Sequence, residues 1–409
     1  MTTNVKKKTI EYLKLFVKWL IIIAVIGIIG GFVGSFFHKC LELVTYMREG
    51  NSKLILFLPI AGLMITAIYH PFKSKGKLNT NRILEAAETD GNVPLILSPI
   101  IFVSTLITHL FGGSAGREGA ALQLGGCIGY NLGKLFKLNK SELHTIVMVG
   151  MSSFFSAMFG TPLAAAIFAL EVVRAKNIHR KSIIPCLLSS AIAYMIARLV
   201  GTEGVRFTVE TAKITPDILL KAAILAAFCA LVSIVFCLAI KWSSVSLKKL
   251  FTNDYIRSFA GGVIILLLAY LLKTTDYNGA GMSVIERAMR GEATSMAFVM
   301  KIIFTAITIA AGFKGGEIVP TLFIGSTFGC VFGPLIGLDA AFASSLGFIA
   351  VFCGVVKCPL ASVALAVEVF GGEGILIYTL VCAVSFVLSG KFCIYEHIKL
   401  AHMPVNTAK

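Results

Sequence analysis

Pro162-Leu163-Ala164-Ala165-Ala166-Ile167-Phe168-Ala169-Leu170-Glu171 returns, little changed, as Pro359-Leu360-Ala361-Ser362-Val363-Ala364-Leu365-Ala366-Val367-Glu368, 197 positions later. Two further matches keep the same order. Ile83-Leu84-Glu85-Ala86-Ala87 pairs with Val284-Ile285-Glu286-Arg287-Ala288 at an offset of 201, and Gly112-Gly113 pairs with Gly315-Gly316 at 203. Three matches at a nearly constant spacing mark an internal duplication.

The repeated unit is built for lipid. Of 409 residues, 57% are hydrophobic and 14% charged, and the mean hydropathy is +0.87, far from the balance of a soluble domain. Apolar stretches long enough to cross or partly cross a bilayer can be drawn at 16–37, 54–69, 95–111, 146–172, 183–199, 218–240, 259–272, 297–312, 322–338, 346–369 and 375–388. Several are short or broken by glycine, so the expected fold is an all-α membrane protein of tilted and broken helices. Repeats of this size in a membrane protein point to two inverted-topology halves packed about a pseudo-two-fold axis, with the site at their interface near the midplane. The expected division is an N-terminal tail at 1–15, a transmembrane domain at 16–390 (first repeat about 16–205, second about 215–390), and a C-terminal segment at 391–409 too short for a separate regulatory domain.

The formal net charge is +16, with Lys6, Lys7 and Lys8 in the tail and Arg174, Lys176, Arg180 and Lys181 in one loop. Basic ends of this kind place the N-terminus on the cytoplasmic side of a plasma or inner membrane. Contact with anionic lipid accounts for the charge, as does attraction of anions. No soluble basic domain exists to bind nucleic acid. The ten cysteines show no C-x-x-C and no zinc spacing, so no metal or other cofactor is expected, and they read as buried packing residues. The apolar run after the first lysines is as long as a true span, which favours a span over a cleaved signal peptide.

The best pointer to a midplane site is a pair of glycine-interrupted segments at matching positions. Here these are 112–126 and 315–325. Each sets glycines just before an apolar stretch, so each can open a helix whose first amides lack partners and attract an anion. The first carries Arg117-Glu118. A carboxylate at membrane depth is costly and usually marks an ion path, proton relay or substrate site. Glu118 falls where an anion would sit, so it can fill the site when charged and leave it when protonated. Arg117 reads as its buried or snorkelling partner. The turn Gly76-Lys77-Leu78-Asn79-Thr80-Asn81 is a third candidate, where an asparagine caps the next helix or donates to a ligand. Glu171 and Glu368, at the ends of matching helices, read first as caps or as partners of Arg174.

Gly116-Arg117-Glu118-Gly119 resembles the G-R/K-E-G signature of the CLC family of anion channels and proton-coupled antiporters, although Ala120 stands where proline is usual. Gly315-Gly316-Glu317-Ile318-Val319-Pro320 is similar to the family's G-G-x-x-x-P segment, and Tyr395 falls at the position of its anion-contacting tyrosine. The resemblance implies a homodimer with one pore per subunit, with Glu118 as the gate and proton carrier. It also implies Asn79 and Tyr395 as anion donors, and backbone amides of Glu118, Gly119, Ile318 and Val319 along the path.

The departures from the family pattern narrow the substrate. Where chloride-transporting members have G-S-G-I-P, this chain has Lys77-Leu78-Asn79-Thr80-Asn81, with Asn79 nearest the serine position and Asn81 the other candidate. Asparagine there is a mark of the fluoride-exporting branch, as is a glutamate in the second glycine segment, here Glu317. Val172 replaces the inward-facing proton glutamate of chloride antiporters, a feature that equally suits a passive chloride channel. Fluoride holds its water tightly, and an asparagine amide offers two donors where serine offers one. The leading expectation is therefore fluoride/proton exchange in the bilayer. Chloride transport in the same fold is the alternative, and Glu317 either relays protons or pairs with a cation such as Lys314. An intramembrane hydrolase with Ser114 as nucleophile needs a histidine in reach, for which only His109 is near; no enzyme activity is expected. Phe323 and Phe328 could border the pore.

Overall fold

The computed structural model describes residues 2–75, 83, 93–173 and 180–395. Fifteen α-helices and a few 3-10 turns make up these residues, and one isolated pair of bridged residues is the sole β-type contact among them. The first half holds α1 (Thr2–Gly50), α2 (Leu58–Tyr69), α3 (Leu97–Leu110), α4 (Glu118–Leu135), α5 (Lys140–Phe159), α6 (Pro162–Val172) and α7 (Ile183–Leu199). The second holds α8 (Pro216–Leu250), α9 (Asp254–Leu272), α10 (Met282–Met289), α11 (Ala297–Ala311), α12 (Ile318–Phe332), α13 (Ala340–Val356), α14 (Pro359–Phe370) and α15 (Ile375–Leu388). Helices α1 to α7 are answered in order by α8, α9 and α11 to α15, so the duplication seen in the sequence is the architecture: two inverted-topology repeats. Of the first-half match to α10, only Ile83 lies within the described residues.

Two spans read as continuous from hydropathy are in fact pairs of helices. The stretch 146–172 breaks between α5 and α6 at Gly160, with φ +72°, before Pro162. The stretch 346–369 breaks between α13 and α14 at Lys357, with φ +59°, before Pro359. A left-handed cap residue followed by proline ends one helix and starts another, yet both flanks are apolar, so hydropathy alone does not register the turn. Helix α1 also outruns its expected span. It starts at Thr2, inside the stretch expected as a tail, and its 49 residues extend about 74 Å at 1.5 Å per residue, well beyond a bilayer's hydrocarbon core of about 30 Å.

The centre of the molecule is packed through glycine. A Cβ on Gly129 of α4 would stand 2.6 Å from the carbonyl oxygen of Ile146 in α5, and one on Gly325 of α12 would collide with the Gly347 carbonyl in α13. Gly125-x-x-x-Gly129 and Gly325-x-x-x-Gly329 are thus mirrored small-residue stripes of the kind that brings membrane helices close. Helices α5 and α13 are buried on every face, as expected of central helices that are apolar all round. The outer helices α1, α8 and α9 instead turn large apolar side chains outward, among them Phe16, Phe36, Leu231, Trp242 and Tyr270. Such faces suit lipid.

Candidate functional site

Helices α3 and α11 end in the same way. Gly112 (φ +85°) and Gly312 (φ +103°) take the left-handed conformation that a side chain resists, and the following amides turn back to the last turn: Gly113 N–H to Thr108 O at 2.8 Å, Phe313 N–H to Thr308 O at 3.3 Å. Each loop is then fastened to the opposite half. Ser114 N–H donates to Thr308 Oγ1 at 3.1 Å, and Lys314 N–H donates to Thr108 Oγ1 at 3.2 Å. The loops meet at Gly116 and Gly316, whose backbones exchange both hydrogen bonds at 2.6 and 2.7 Å. Two residues beyond each of these glycines, α4 and α12 begin.

This junction brings the two glycine segments of the sequence together at the pseudo-two-fold axis. The first intrahelical bonds there are Ala121 N–H to Arg117 O and Thr321 N–H to Glu317 O, both at 3.0 Å. The amides of Gly119 in α4, and of Ile318 and Val319 in α12, therefore precede any acceptor within their own helix. All three residues are buried. Facing helix openings supply donors and two positive dipole ends to one place.

Glu118 opens α4 with its side chain fully buried. Its Oε2 accepts from the Arg117 backbone N–H at 3.0 Å, so the carboxylate is folded over the helix opening. Arg117 Nε stands 3.4 Å from Glu118 Oε1, yet neither of these two atoms makes a hydrogen bond. Glu317 occupies the residue before α12 without a side-chain capping bond, directly across the junction: its Oε2 lies 3.6 Å from where a Cβ on Gly119 would stand. Tyr395, 4% exposed, lies within electrostatic reach of both Glu317 and Glu118. The segment bearing it is tied to the end of α13 by Ile394 N–H to Val355 O at 3.3 Å. The structure thus brings Glu118, Gly119, Glu317, Ile318, Val319 and Tyr395 to one buried centre. Asn79 and Asn81 lie outside the described residues.

Among the other described residues, the capping expected of Glu171 and Glu368 is found, and the pairing of Lys314 with Glu317 is not. Lys314 does not pair with Glu317 among the described residues; its Nζ sits 4.2 Å from the centroid of the Tyr69 ring, where a cation is held by the ring face. Ser114 Oγ bonds Thr305 Oγ1 at 3.0 Å and His109 Nδ1 bonds Thr105 O at 2.9 Å, so the two form no nucleophile–base pair. Glu171 accepts from Leu360 N–H and Ala361 N–H at 3.3 and 2.8 Å, and Glu368 from Leu163 N–H and Ala164 N–H at 2.9 and 2.8 Å. Each carboxylate caps the helix of the other half. Arg174, their other expected partner, is outside the described residues. Phe323 is fully buried against Tyr277 and under Lys301.

Sequence reasoning passed over Lys301. It is fully buried in α11, donates to Tyr277 O at 3.2 Å and Gly279 O at 2.7 Å, and lies 4.9 Å from the centroid of the Phe323 ring. A lone lysine inside Phe298-Val299-Met300-Lys301-Ile302-Ile303-Phe304 was the available signal.

A family model described as voltage gated chloride channel matches residues 61–390. The chain is 30% identical over 407 residues to a chloride/fluoride channel protein of Pseudomonas syringae pv. tomato, covering 97% of this chain and 90% of that one. It is 24% identical to the H(+)/Cl(-) exchange transporter ClcA of Vibrio cholerae, over 89% of this chain and 84% of that one. Among solved structures, a CLC-type fluoride/proton antiporter superposes with a TM-score of 0.90 at 31% identity, covering 94% of this chain and 98% of that one. A slow cyanobacterial Cl-/H+ antiporter superposes with a TM-score of 0.80 at 20% identity, covering 93% and 97%, a likeness of fold.

Proposed function

The chain belongs to the voltage-gated chloride channel family, and from that membership and the geometry around Glu118 we propose that it exports fluoride in exchange for protons. The observation that carries this reading is a fully buried carboxylate folded over a helix opening, in the place an anion would take. A charged Glu118 competes with the anion for the same donors. Protonation removes the competition, frees the side chain and admits the anion, so one carboxylate alternates between proton and anion. That alternation is exchange.

The neighbouring groups fit the roles this cycle needs. Fluoride gives up hydration only to dense, strong donors; the opening amides of α12 and the Tyr395 hydroxyl supply them, with Asn79 completing the set from the region before Ile83. Glu317 sits across the junction from Glu118 and near Tyr395, and passes the proton onward to the inner side. Glu171 is spent on capping α14, and Val172 beside it is buried, so the inner proton route runs through Glu317. The N-terminus lies in the cytoplasm, the protein sits in the inner membrane, and two chains pair with a separate path in each. The similarity to a CLC-type fluoride/proton antiporter supports the choice of ion.

The test is flux from proteoliposomes loaded with fluoride or chloride, with external pH recorded and Glu118→Gln run beside the wild type. Fluoride efflux with opposing proton uptake, slower chloride, and loss of both movements in the variant are expected. The engaged Glu171 also fits a passive chloride channel, which would show as chloride efflux comparable with fluoride and no proton movement.

A further inference from the structure

A cavity of about 540 Å³ opens beside the last turns of α1 and reaches Arg117. Glu42, Glu49, Glu203 and Glu286 are exposed at its rim beside one exposed cation, Arg206, whereas the side chains of Arg48 and Arg117, which line the same cavity, are only 12% and 13% exposed. Lys301 stands behind the lining residue Gly281, its Nζ 3.5 Å from where a Cβ on that glycine would be. With the N-terminus in the cytoplasm, this cavity faces outward.

At the floor lies His109, 2% exposed. Its Nδ1 is 2.9 Å from Thr105 O. A carbonyl only accepts, so Nδ1 carries the hydrogen, and the neutral ring presents a bare lone pair at Nε2. That nitrogen is buried and makes no hydrogen bond. The fold does not require a polar residue here: the structure matches Gly112 with Gly312 and Gly116 with Gly316, an offset of 200 in place of the 203 read from the glycine pairs, and the counterpart of His109 on α11 is Ile309. The groups facing His109 are Arg48 from α1, Arg117 from the turn before α4 and Lys301 from α11, all basic.

We propose that His109 receives protons from the outward cavity and hands them to Glu118. This rests on the exchange reading above and adds to it the outer half of the proton route. The rim carboxylates gather protons and repel returning anions by their summed field. At the floor, a proton on Nε2 converts the lone pair to a donor beside the Arg48 and Arg117 guanidiniums and is not held there for long. Its outlet is Glu118 Oε1, which like Arg117 Nε lacks a hydrogen bond, a pattern that bridging water satisfies. The proton leaves water at the rim, joins Nε2, and is released to the carboxylate, which becomes neutral and swings free. An anion in the cavity beside Arg48 and Arg117 offsets the cations and favours the loaded ring, so proton entry and anion exit assist one another.

The test is fluoride efflux and proton uptake in proteoliposomes for wild type, His109→Ala and His109→Asn, with pH on the cavity side varied. Asparagine keeps a donor to Thr105 O but does not take up and release a proton, so it decides the matter if the alanine variant does not fold. Expected is a loss of turnover of about tenfold or more in both variants, an unchanged proton-to-fluoride ratio, and recovery of His109→Ala when imidazole is added on the cavity side. Turnover within about twofold of wild type in the variants, or slow turnover that imidazole does not restore and whose pH profile matches the wild type, overturns the role of His109. A wild type that moves fluoride without protons overturns the exchange reading first, and this inference with it.

Discussion

Gly116 and Gly316 hydrogen-bond to each other through both backbone groups, and this contact sets the distance between the two helix openings that face the buried centre. The approach leaves no room for side chains: a Cβ on Gly119 would lie 2.7 Å from Gly316 Cα. Gly119→Ala is therefore expected to push α4 away from the second half, at a cost of about 1–3 kcal/mol for the overpacking, with a large fall in anion flux. Thermal unfolding in detergent, measured beside flux, checks it; wild-type behaviour in both would show that the junction yields without consequence.

The exchanged caps give a second prediction. Replacing Glu171 by Gln keeps an acceptor but removes the charge that strengthens both bonds to α14, which costs about 1–2 kcal/mol; Glu368→Gln does the same at α6. Both variants should lower the unfolding midpoint while leaving the proton-to-fluoride ratio unchanged. If Glu171→Gln instead uncoupled protons from fluoride without loss of stability, Glu171 would belong to the proton route and Glu317 would lose that role.

Buried Lys301 holds the carbonyls of Tyr277 and Gly279, which shape the wall of the cavity beside α1 near Gly281. Lys301→Met keeps the bulk and removes the donors, leaving two carbonyls without this partner, for an expected loss of about 2–4 kcal/mol. Flux should fall as well, because the wall of the cavity loses the contacts that shape it. Lys301→Arg is expected to rescue little, since the forked guanidinium does not fit the space of a single ammonium above Phe323. A stable, fully active methionine variant would reduce Lys301 to packing.

What the sequence made legible follows from contrast. Glycine and charge stand out in apolar chain, so Arg117-Glu118 and the segment around Gly315 could be found by reading. The repeat could be found because Pro162 to Glu171 and Pro359 to Glu368 keep their residues. The bonds that join the halves were hidden, since Glu171 meets Leu360 and Ala361 across about 190 residues and its donors are backbone amides, which leave no mark on composition. The turns at Gly160 and Lys357 were hidden for the opposite reason, each being set in chain equally apolar on both sides. Lys301 was visible as a letter, but its role depends on Tyr277 and Gly279 carbonyls that any sequence would supply.

The mirrored threonines carry the last prediction. Thr108 Oγ1 accepts from Lys314 N–H and donates to Ser104 O, while Thr308 Oγ1 accepts from Ser114 N–H and donates to Phe304 O. Valine at either position keeps shape but strands a buried amide, at about 1–3 kcal/mol. Because the two loops meet at Gly116 and Gly316, loosening one lowers what the other can hold, so the double variant should lose less than the sum of the singles. A double-mutant cycle on unfolding free energy measures that coupling. Strict additivity would mean that each loop is fixed by its own helix end, at Gly112 and Gly312, and that the junction merely follows; coupling of about 0.5 kcal/mol or more would mean that the two halves hold the anion path as one unit.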